Sequence, residues 1–341
     1  MLKELSKKFN IGIIGLGVGE QHLNAFLKND KVNLIKIFDF DNRKMKQVYK
    51  KNKFIKKIQL AKNEDEIFND KMIRIVSIAS YDNFHYGQII KAIKKNKHIL
   101  VEKPPVLYES ELKKIMKLSL NKKIFIYSNY VLRMSPIFKE IKKIVNDKKK
   151  FGEIYYIETD YNYGRIHKLN NGWRGKIPFY SINLGGGIHL VDVIRWITRE
   201  KFKKIKSYSN KIVTKNTKYK FYDCICSIIK SNNNKIFKIT SNFGCVYPHF
   251  HKFIVYGTKM TLEKNQDCLK LYKKNAFNKI KISKINLKYK TIDKGVMINK
   301  ILNNILKKSN YLEINNDTFN TIKYCMAIEK SIATNKEVIL K

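Results

Sequence analysis

Residues Phe9–Glu20, FNIGIIGLGVGE, carry the strongest fold signal in the first part of the chain, because an apolar run passes there directly into a cluster of glycines. The run Ile11–Leu16 predicts a short buried strand, and the segment from Gln21 to Leu27 predicts the helix that follows it. A strand joined to a helix in this way is typical of a parallel α/β sheet.

The glycine turn between this strand and helix suits a phosphate group. Backbone N–H groups in a tight glycine turn can approach a pyrophosphate closely, as can the amino terminus of the helix. The common spacing is G-x-G-x-x-G, whereas here the third glycine comes one residue early or Glu20 takes its place. We therefore predict that a dinucleotide cofactor binds at Gly15, Gly17, Val18 and Gly19.

A second predicted strand, Val32–Phe38, ends at Asp39, 22 residues past Gly17. A carboxylate at this position accepts hydrogen bonds from a ribose 2′-hydroxyl and repels a 2′-phosphate. Asp39 therefore favours NAD(H) over NADP(H). The alternative is an ordinary turn residue at the end of a strand.

Polar residues follow the next strands of the predicted sheet at their carboxyl ends, where the crevice of such a sheet lies. After Ile73–Ala79 come Ser80, Asn83 and His85, which we predict to bind the cofactor. His85 equally fits a histidine that bonds locally at the start of a helix.

A second such cluster, Glu102-Lys103-Pro104, follows the strand His98–Val101. A lysine there can direct its ammonium at a substrate hydroxyl or carbonyl, and a proline fixes the backbone beside it. We predict a catalytic role for Lys103 and cofactor contacts for both Glu102 and Lys103. A last short strand, Ile124–Ser128, completes this part, and we place the boundary of the first domain at residue 125.

From residue 126 to residue 341 the pattern predicts a second, α+β domain whose open sheet is largely antiparallel, with one face solvated or covered by a partner. One helix is predicted near Ile188–Ile197, and two closing helices are predicted at Val296–Leu306 and Asp317–Ala333, capped by Asn316 or Asp317 and able to pack back on the first domain. The strands predicted for this domain are Ile154–Tyr163, Ile205–Val213, Tyr222–Ile229, Ile236–Phe243 and Phe253–Tyr256.

The net charge of +42 raises the possibility of nucleic-acid binding. However, only seven of the 70 basic residues are arginine, and the lysines are spread over the whole chain. Lys, Asn, Ile, Tyr and Phe have A/T-rich codons, so a nucleotide-biased genome explains the composition without a dedicated nucleic-acid role. An anionic small substrate remains compatible with this charge.

The remaining composition favours a cytoplasmic protein. The chain has no apolar run long enough to span a membrane, and its amino terminus lacks the apolar stretch of a signal peptide. Five cysteines without a CxxC spacing argue against a disulfide scaffold. The pairs His249/His251 and Cys224/Cys226 lack a clear third ligand, so we predict no metal site.

Together these residues resemble the Gfo/Idh/MocA family of oxidoreductases, which includes glucose-fructose oxidoreductase and inositol dehydrogenase. KHILVEKP, ending at Pro104, resembles the family's GKHVLVEKP signature, and Gly185–Asp192 with Trp196 resembles its G-x-H-x-x-D helix. Val255–Thr258 resembles a signature of a late strand. The resemblance covers nearly the whole chain and joins these motifs to the glycine turn, Asp39 and His85.

The resemblance implies a Rossmann-type doubly wound parallel sheet that binds NAD, followed by a domain through which many members form homo-oligomers. It also implies hydride transfer between the nicotinamide and a carbon of a sugar, nucleotide sugar or cyclitol. By position, Lys103 matches the lysine that engages the reacting oxygen, and His189 matches the acid/base histidine.

One position departs from the family pattern. Many members carry an aspartate four residues before the histidine, where this chain has Gly185. Asp192 is the nearest acidic substitute in sequence, and we predict that it shares the catalytic role, although its position can also be structural. Aromatic rings suit sugar rings and arginine suits anionic groups, so we also predict substrate contacts for Tyr130, Arg133, Tyr161, Tyr163, Arg165, Trp173, Arg174 and His189.

The residues alone leave three other functions open. An NAD-dependent glycosidase on the same fold would use the same cofactor site, and only net NADH release separates it from a dehydrogenase. A cofactor-binding regulator without turnover would not need Lys103 and His189. Nucleic-acid binding driven by charge would show a steep salt dependence.

Overall fold

The structure is a computed structural model that describes residues 8–266, 268–287 and 292–340. Strand β1, Phe9–Ile14, lies near the centre of the first sheet. Within these ranges this sheet has six strands, all parallel, in the order β3-β2-β1-β4-β5-β6. This is the strand order of a doubly wound dinucleotide-binding sheet, so the predicted fold of the first part is confirmed. The other strands are β2 (Val32–Phe38), β3 (Ile58–Leu60), β4 (Ile73–Ile78), β5 (His98–Val101) and β6 (Ile126–Ser128).

Helices connect these strands, as parallel neighbours require. The central strands β1, β4 and β5 are buried almost continuously, because helices cover both faces of the sheet. Asp41 caps the second helix by accepting hydrogen bonds from the backbone of Arg43 and Lys44. The helices are α1 (Gly19–Leu27), α2 (Asn42–Lys51), α3 (Glu64–Asn69), α4 (Asp82–Lys94) and α5 (Glu109–Ser119).

The second sheet has nine strands among the described residues and is antiparallel except for one parallel pair, β7 with β10. Burial alternates along its central strands, so that one face is buried and the other half-exposed. The predicted open, largely antiparallel sheet is confirmed. Its strands are β7 (Ile154–Asn162), β8 (Phe202–Asn210), β9 (Cys224–Ser231), β10 (Ile236–Asn242), β11 (Phe250–Gly257), β12 (Thr261–Lys264), β13 (Cys268–Lys274), β14 (Ile280–Asn286) and β15 (Val338–Ile339).

Helix α6, Pro136–Asn146, packs on the buried face of this sheet, since the ring of Phe138 contacts that of Phe253 edge-to-face at 5.2 Å between ring centroids. Strands β12, β13 and β14 were not predicted from the sequence. Assembly of copies through the open face stays a prediction. The helices that follow β6 in the chain are α6 (Pro136–Asn146), α7 (Lys148–Phe151), α8 (His167–Asn170), α9 (Ile188–Thr198), α10 (Ile298–Leu306) and α11 (Tyr311–Thr334).

The chain divides into two compact units. The first holds the described residues up to Val131 together with Asp293–Ile322, and the second holds the described residues of 132–292 and those from Lys323 onward. The sequence placed its boundary at residue 125 and counted 293–322 with the second domain.

The last helix begins earlier than the sequence predicts. It starts at Tyr311, and the Oδ1 atom of Asn310 accepts hydrogen bonds from the backbone of Leu312 and Glu313, so the predicted caps, Asn316 and Asp317, lie inside the helix. The polar run there serves another purpose: Asn315 accepts a hydrogen bond from the backbone N–H of Ile126 at 2.7 Å, beside the edge of β6. A polar side chain that satisfies a strand edge is indistinguishable in sequence from a cap.

No helix in the described ranges is both long and apolar enough to cross a lipid bilayer.

Candidate functional site

The turn between β1 and α1 has the backbone conformation that a glycine permits. Gly15 has φ +85°, and its N–H donates to the carbonyl of Phe38 at 2.9 Å. A Cβ atom at this position would lie 2.5–2.6 Å from backbone atoms of Ala79 and Ser80. The first glycine of the motif therefore sets the tight turn, and no other residue fits there.

The two following glycines also have separate roles. A Cβ at Gly17 would meet only the Nζ atom of Lys44, at 3.9 Å, so the turn is open to an approaching ligand there. A Cβ at Gly19 would press against Ala79 and Ile13 at 3.3 Å, so this glycine lets α1 pack closely on the sheet. The shortened motif thus retains a tight turn, an open approach and close helix packing, and its residues fit a dinucleotide pyrophosphate.

Replacing Gly15 by alanine is expected to destabilise the first unit by more than the ~1–2 kcal/mol that a left-handed conformation costs an ordinary residue, because the new methyl group would also meet rigid backbone. The same change at Gly17, where space is open, should leave stability nearly unchanged while weakening cofactor binding. Thermal unfolding of the two variants measures the difference, and equal stabilities would contradict it.

Asp39 is held at the end of β2 with 5% of its surface exposed. Its Oδ2 atom accepts a hydrogen bond from the N–H of Leu16 at 2.6 Å, and Oδ1 accepts one from the N–H of Asp41 at 2.9 Å. Each carboxylate oxygen can accept a second hydrogen bond, which leaves capacity for a ribose hydroxyl. The sequence missed the neighbouring Phe40, whose ring is 66% exposed and contacts Tyr81 edge-on at 5.7 Å.

His85 joins the turns that follow β4 and β5. It is fully buried, with Nδ1 2.7 Å from the carbonyl oxygen of Pro104 and Nε2 3.1 Å from that of Ser80. Ser80 in turn donates to Gln88 at 2.7 Å, and Asn83 is exposed in the first turn of α4. His85 therefore holds the segment that carries the predicted catalytic lysine against the end of β4.

Glu102 belongs to a buried polar network that the sequence did not reveal. Its Oε1 atom accepts a hydrogen bond from Asn129 at 2.6 Å and lies 3.2 Å from Nε2 of His22, whose Nδ1 is 2.8 Å from Ser77 Oγ. Burial opposes the charge of Glu102, but the hydrogen bonds from His22 and Asn129 and the electrostatic interactions with His22 and Lys294 lower its pKa to about 2. Glu102 is therefore ionised at neutral pH and fixes the start of the lysine turn.

Lys103 is partly exposed at the carboxyl end of β5. It lies between the anchored Glu102 and a cis peptide bond to Pro104, whose carbonyl contacts His85. The backbone on both sides of Lys103 is thus fixed by buried contacts. Lys103 itself lies at the edge of the sheet where the glycine turn also lies.

In the second unit, His189 is the second residue of α9 and is 5% exposed. Its ring contacts that of His251 edge-on at 6.4 Å, and His251 stacks on Tyr161 at 4.4 Å with 6° between the planes. The hydroxyl of Tyr161 lies 3.0 Å from Nε2 of His249. The structure therefore brings together Tyr161, His189 and the His249/His251 pair from three separate segments of the sequence, and of these His189 and Tyr161 were predicted as site residues.

The turn before α9, the π-helical segment Asn183–Gly187, explains the glycine at the position where the family resemblance predicts an aspartate. A Cβ at Gly185 would collide with the hydroxyl of Tyr180, a buried side chain that accepts a hydrogen bond from Nε of Arg174 at 3.1 Å. The phenol of Tyr180, held by Arg174, thus occupies the space that a side chain at position 185 would need. Arg174 was predicted as a site residue, whereas Tyr180 was missed.

Asp192 and Arg133 form a buried ion pair. Nε of Arg133 donates to Oδ2 of Asp192 at 2.8 Å, and its NH2 group donates to Oδ1 at 2.5 Å. This two-point geometry joins the turn before α6 to α9 and gives both residues a structural task. The catalytic role of Asp192 and the substrate contact of Arg133 stay predictions.

The other predicted substrate residues are aromatic or lie against aromatic rings. Tyr163 is buried and stacks on Phe243 at 4.3 Å, with the guanidinium of Arg165 5.9 Å from its ring. The guanidinium of Arg174 lies 4.7 Å from the ring of Trp173. Tyr130 is buried in the first unit.

The histidine and cysteine pairs form no metal centre in the part of the chain that the structure describes, where no group of three suitable ligands comes together. His249 and His251 instead pack around Tyr161, and Cys224 and Cys226 lie on the half-exposed face of β9.

A parallel sheet of this order, with a glycine turn open to a ligand and an acid at the end of β2, defines a dinucleotide-binding domain. Residues 9–130 match the model of the oxidoreductase family with an NAD-binding Rossmann fold, and residues 138–263 match the GFO/IDH/MocA C-terminal domain. These matches cover most of the chain, so the protein belongs to the GFO/IDH/MocA family of oxidoreductases.

The relatives are distant in sequence and close in fold. The chain is 23% identical to myo-inositol 2-dehydrogenase of Thermotoga maritima over 259 residues, 73% of each protein. It is 24% identical to an uncharacterised oxidoreductase of Synechocystis sp. over 199 residues, 56% of this chain and only about half (52%) of that protein. A levoglucosan dehydrogenase solved with NADH and levoglucosan shares the fold, with a TM-score of 0.83 at 17% identity over 98% of this chain and 99% of that one.

Proposed function

We propose that the protein is an NAD-dependent dehydrogenase that oxidises a hydroxyl of a sugar, nucleotide sugar or cyclitol, or reduces the corresponding carbonyl. The observation that carries this proposal is the placement of Lys103, held on both sides by buried contacts at the same sheet edge as a glycine turn fit for a dinucleotide. The names of two relatives, an inositol and a levoglucosan dehydrogenase, support polyols as the substrate class.

In this proposal the chain supplies the cofactor cradle and the proton chemistry. Gly17 leaves room for the pyrophosphate, and Asp39 accepts a ribose hydroxyl through its remaining lone pairs. When bound, the nicotinamide supplies or accepts the hydride. The ammonium of Lys103 polarises the reacting oxygen, and His189 removes or returns its proton.

Asp39 also supports NAD over NADP. Its two oxygens are fixed by backbone N–H groups, so the carboxylate cannot swing away from a 2′-phosphate. A buried, fixed negative charge repels that dianion more strongly than a mobile one on the surface.

Calorimetric titration at physiological salt is expected to show micromolar binding of NAD or NADH and binding of NADP at least about tenfold weaker. Asp39→Ala should weaken the binding of NAD and reduce the difference in affinity between NAD and NADP. The change removes both the acceptor for the ribose hydroxyl and the charge that repels the 2′-phosphate. The exposed Asp30→Ala is the matched control and should change neither affinity.

Absence of binding to every nicotinamide dinucleotide would overturn the proposed function. If NAD binds, screening of myo-inositol, levoglucosan and nucleotide sugars for NADH release completes the test. Binding without any turnover would instead favour the regulator, and glycoside cleavage without net NADH release would favour the glycosidase.

A further inference from the structure

A cavity of about 270 Å³ lies within the second unit and contains none of the residues predicted to bind cofactor or substrate. We call it the Glu329 cavity, after the only acidic residue among its lining residues. Segment 179–182, residues of β9 and its preceding loop, and α11 form its walls. Its size is just below the range of about 300–1,000 Å³ of drug-sized ligand sites, so it suits a molecule of a single ring.

The carboxylate of Glu329 is held in one orientation. Its Oε1 atom accepts hydrogen bonds from Oγ of Ser181 at 2.5 Å and from Nδ2 of Asn183 at 2.8 Å. Its Oε2 atom accepts none from any residue in the described ranges, so one oriented acceptor is left for a ligand hydroxyl. Burial raises the pKa of Glu329, although these two hydrogen bonds oppose the rise.

Aromatic rings form much of the remaining wall. Phe179 and Phe221 meet edge-to-face at 5.8 Å between centroids, and Tyr222 is 45% exposed. Apolar ring surfaces beside an oriented carboxylate suit a polyhydroxylated ring, whose C–H groups pack on the aromatic carbons while its hydroxyls donate to the carboxylate.

Two lysines add positive charge to the lining. Lys211 and Lys220 line the cavity, and neither forms an ion pair with a carboxylate among the described residues. Their ammonium groups are therefore available for an anionic substituent of a molecule whose hydroxyls reach Glu329. A neutral sugar has no anionic group that could pair with these two ammonium groups.

We propose that the Glu329 cavity is a binding site for a monosaccharide that carries an anionic group, a sugar phosphate or a sugar acid. Glu329 accepts the ring hydroxyls, Phe179 and Phe221 pack on the ring, and Lys211 and Lys220 bind the anionic group. Tyr180 lines this cavity and also fills the space beside Gly185, but binding in the cavity requires neither the cofactor nor the proposed redox reaction.

Calorimetric titration of the full chain without any dinucleotide tests this, with glucose 6-phosphate, glucuronate, glucose and inorganic phosphate as probes. We expect at least one of the two anionic sugars to bind at least about tenfold more tightly than glucose or phosphate alone. Glu329→Gln keeps one oxygen to accept the hydrogen bonds from Ser181 and Asn183 and replaces the group at Oε2. It should therefore weaken the binding of that sugar about tenfold without unfolding the protein.

The lysines are tested by charge reversal. The double variant Lys211→Glu/Lys220→Glu should abolish measurable binding of the anionic sugar, whereas Lys279→Glu/Lys281→Glu, an equal charge change on exposed residues at the start of β14, should not. The proposal is overturned if neither anionic sugar binds, or if binding survives both Glu329→Gln and the Lys211/Lys220 reversal. NAD binding is measured in the same preparations, so that failure of this proposal can be distinguished from failure of the proposed function.

Discussion

Replacing Asp192 by alanine is expected to reduce the free energy of unfolding of the second unit by about 3–5 kcal/mol, the usual cost of breaking a buried ion pair from one side. The change removes the carboxylate that accepts two hydrogen bonds from Arg133, a guanidinium with only 9% of its residue surface exposed. Both tryptophans, Trp173 and Trp196, lie in this unit, so urea unfolding followed by their fluorescence reports on it selectively.

The double variant Arg133→Met/Asp192→Leu is the control for this prediction. Removing both charges leaves no buried ion, so most of the lost stability should return. A loss below about 1 kcal/mol in Asp192→Ala would mean that the pair contributes no more than a surface salt bridge. Because Arg133 is itself a predicted substrate residue, recovery of folding without recovery of turnover in the double variant would show that one or both members of the pair act in turnover as well as in folding.

Replacing Lys103 by methionine is expected to lower kcat/KM by about 10²–10⁴-fold for whichever polyol is turned over, the range that one positioned acid or base contributes. Methionine keeps an unbranched side chain of similar length and lacks the ammonium group. Because Glu102 and Pro104 hold the backbone on both sides, the turn itself should be unchanged, so any fall in NAD affinity measures the predicted contact of Lys103 with the cofactor.

Lys114→Met provides the comparison for Lys103, since it removes one exposed ammonium from the outer surface of α5 and should leave turnover intact. Steady-state kinetics with NADH absorbance, together with NAD titration of each variant, measures both quantities. Full activity in Lys103→Met would contradict the role proposed for this lysine, and loss of NAD binding would show that it acts on the cofactor instead.

The fold was largely predictable because its signals are local. Strand and helix periods, the glycine turn after β1 and the acid at the end of β2 are each encoded in a few consecutive residues. The start predicted for α11 was wrong because Asn316 and Asp317 resemble a cap, and only the packed structure shows the neighbouring Asn315 bonded to the backbone of Ile124 and Ile126. Strands β12 to β14 were missed in a segment rich in lysine and asparagine, where alternation is weak.

The candidate site was only partly predictable. With 20 tyrosines and 63 lysines, residue type alone says little about any one of them. Placement at a strand end singled out Lys103, but nothing in the sequence indicated that Tyr180 fills the space beside Gly185, or that His22 meets Glu102 across 80 residues.

Local sequence signals suffice to predict a parallel dinucleotide-binding sheet followed by an open antiparallel one, since backbone periodicity and turn chemistry act between near neighbours in the chain. Tertiary packing, in contrast, selects which polar groups meet: Arg133 with Asp192, Glu102 with His22 and Asn129, and Glu329 with Ser181 and Asn183. These pairs are 27 to 148 residues apart, and their formation depends on burial, because a buried polar group must find a partner wherever packing brings one close.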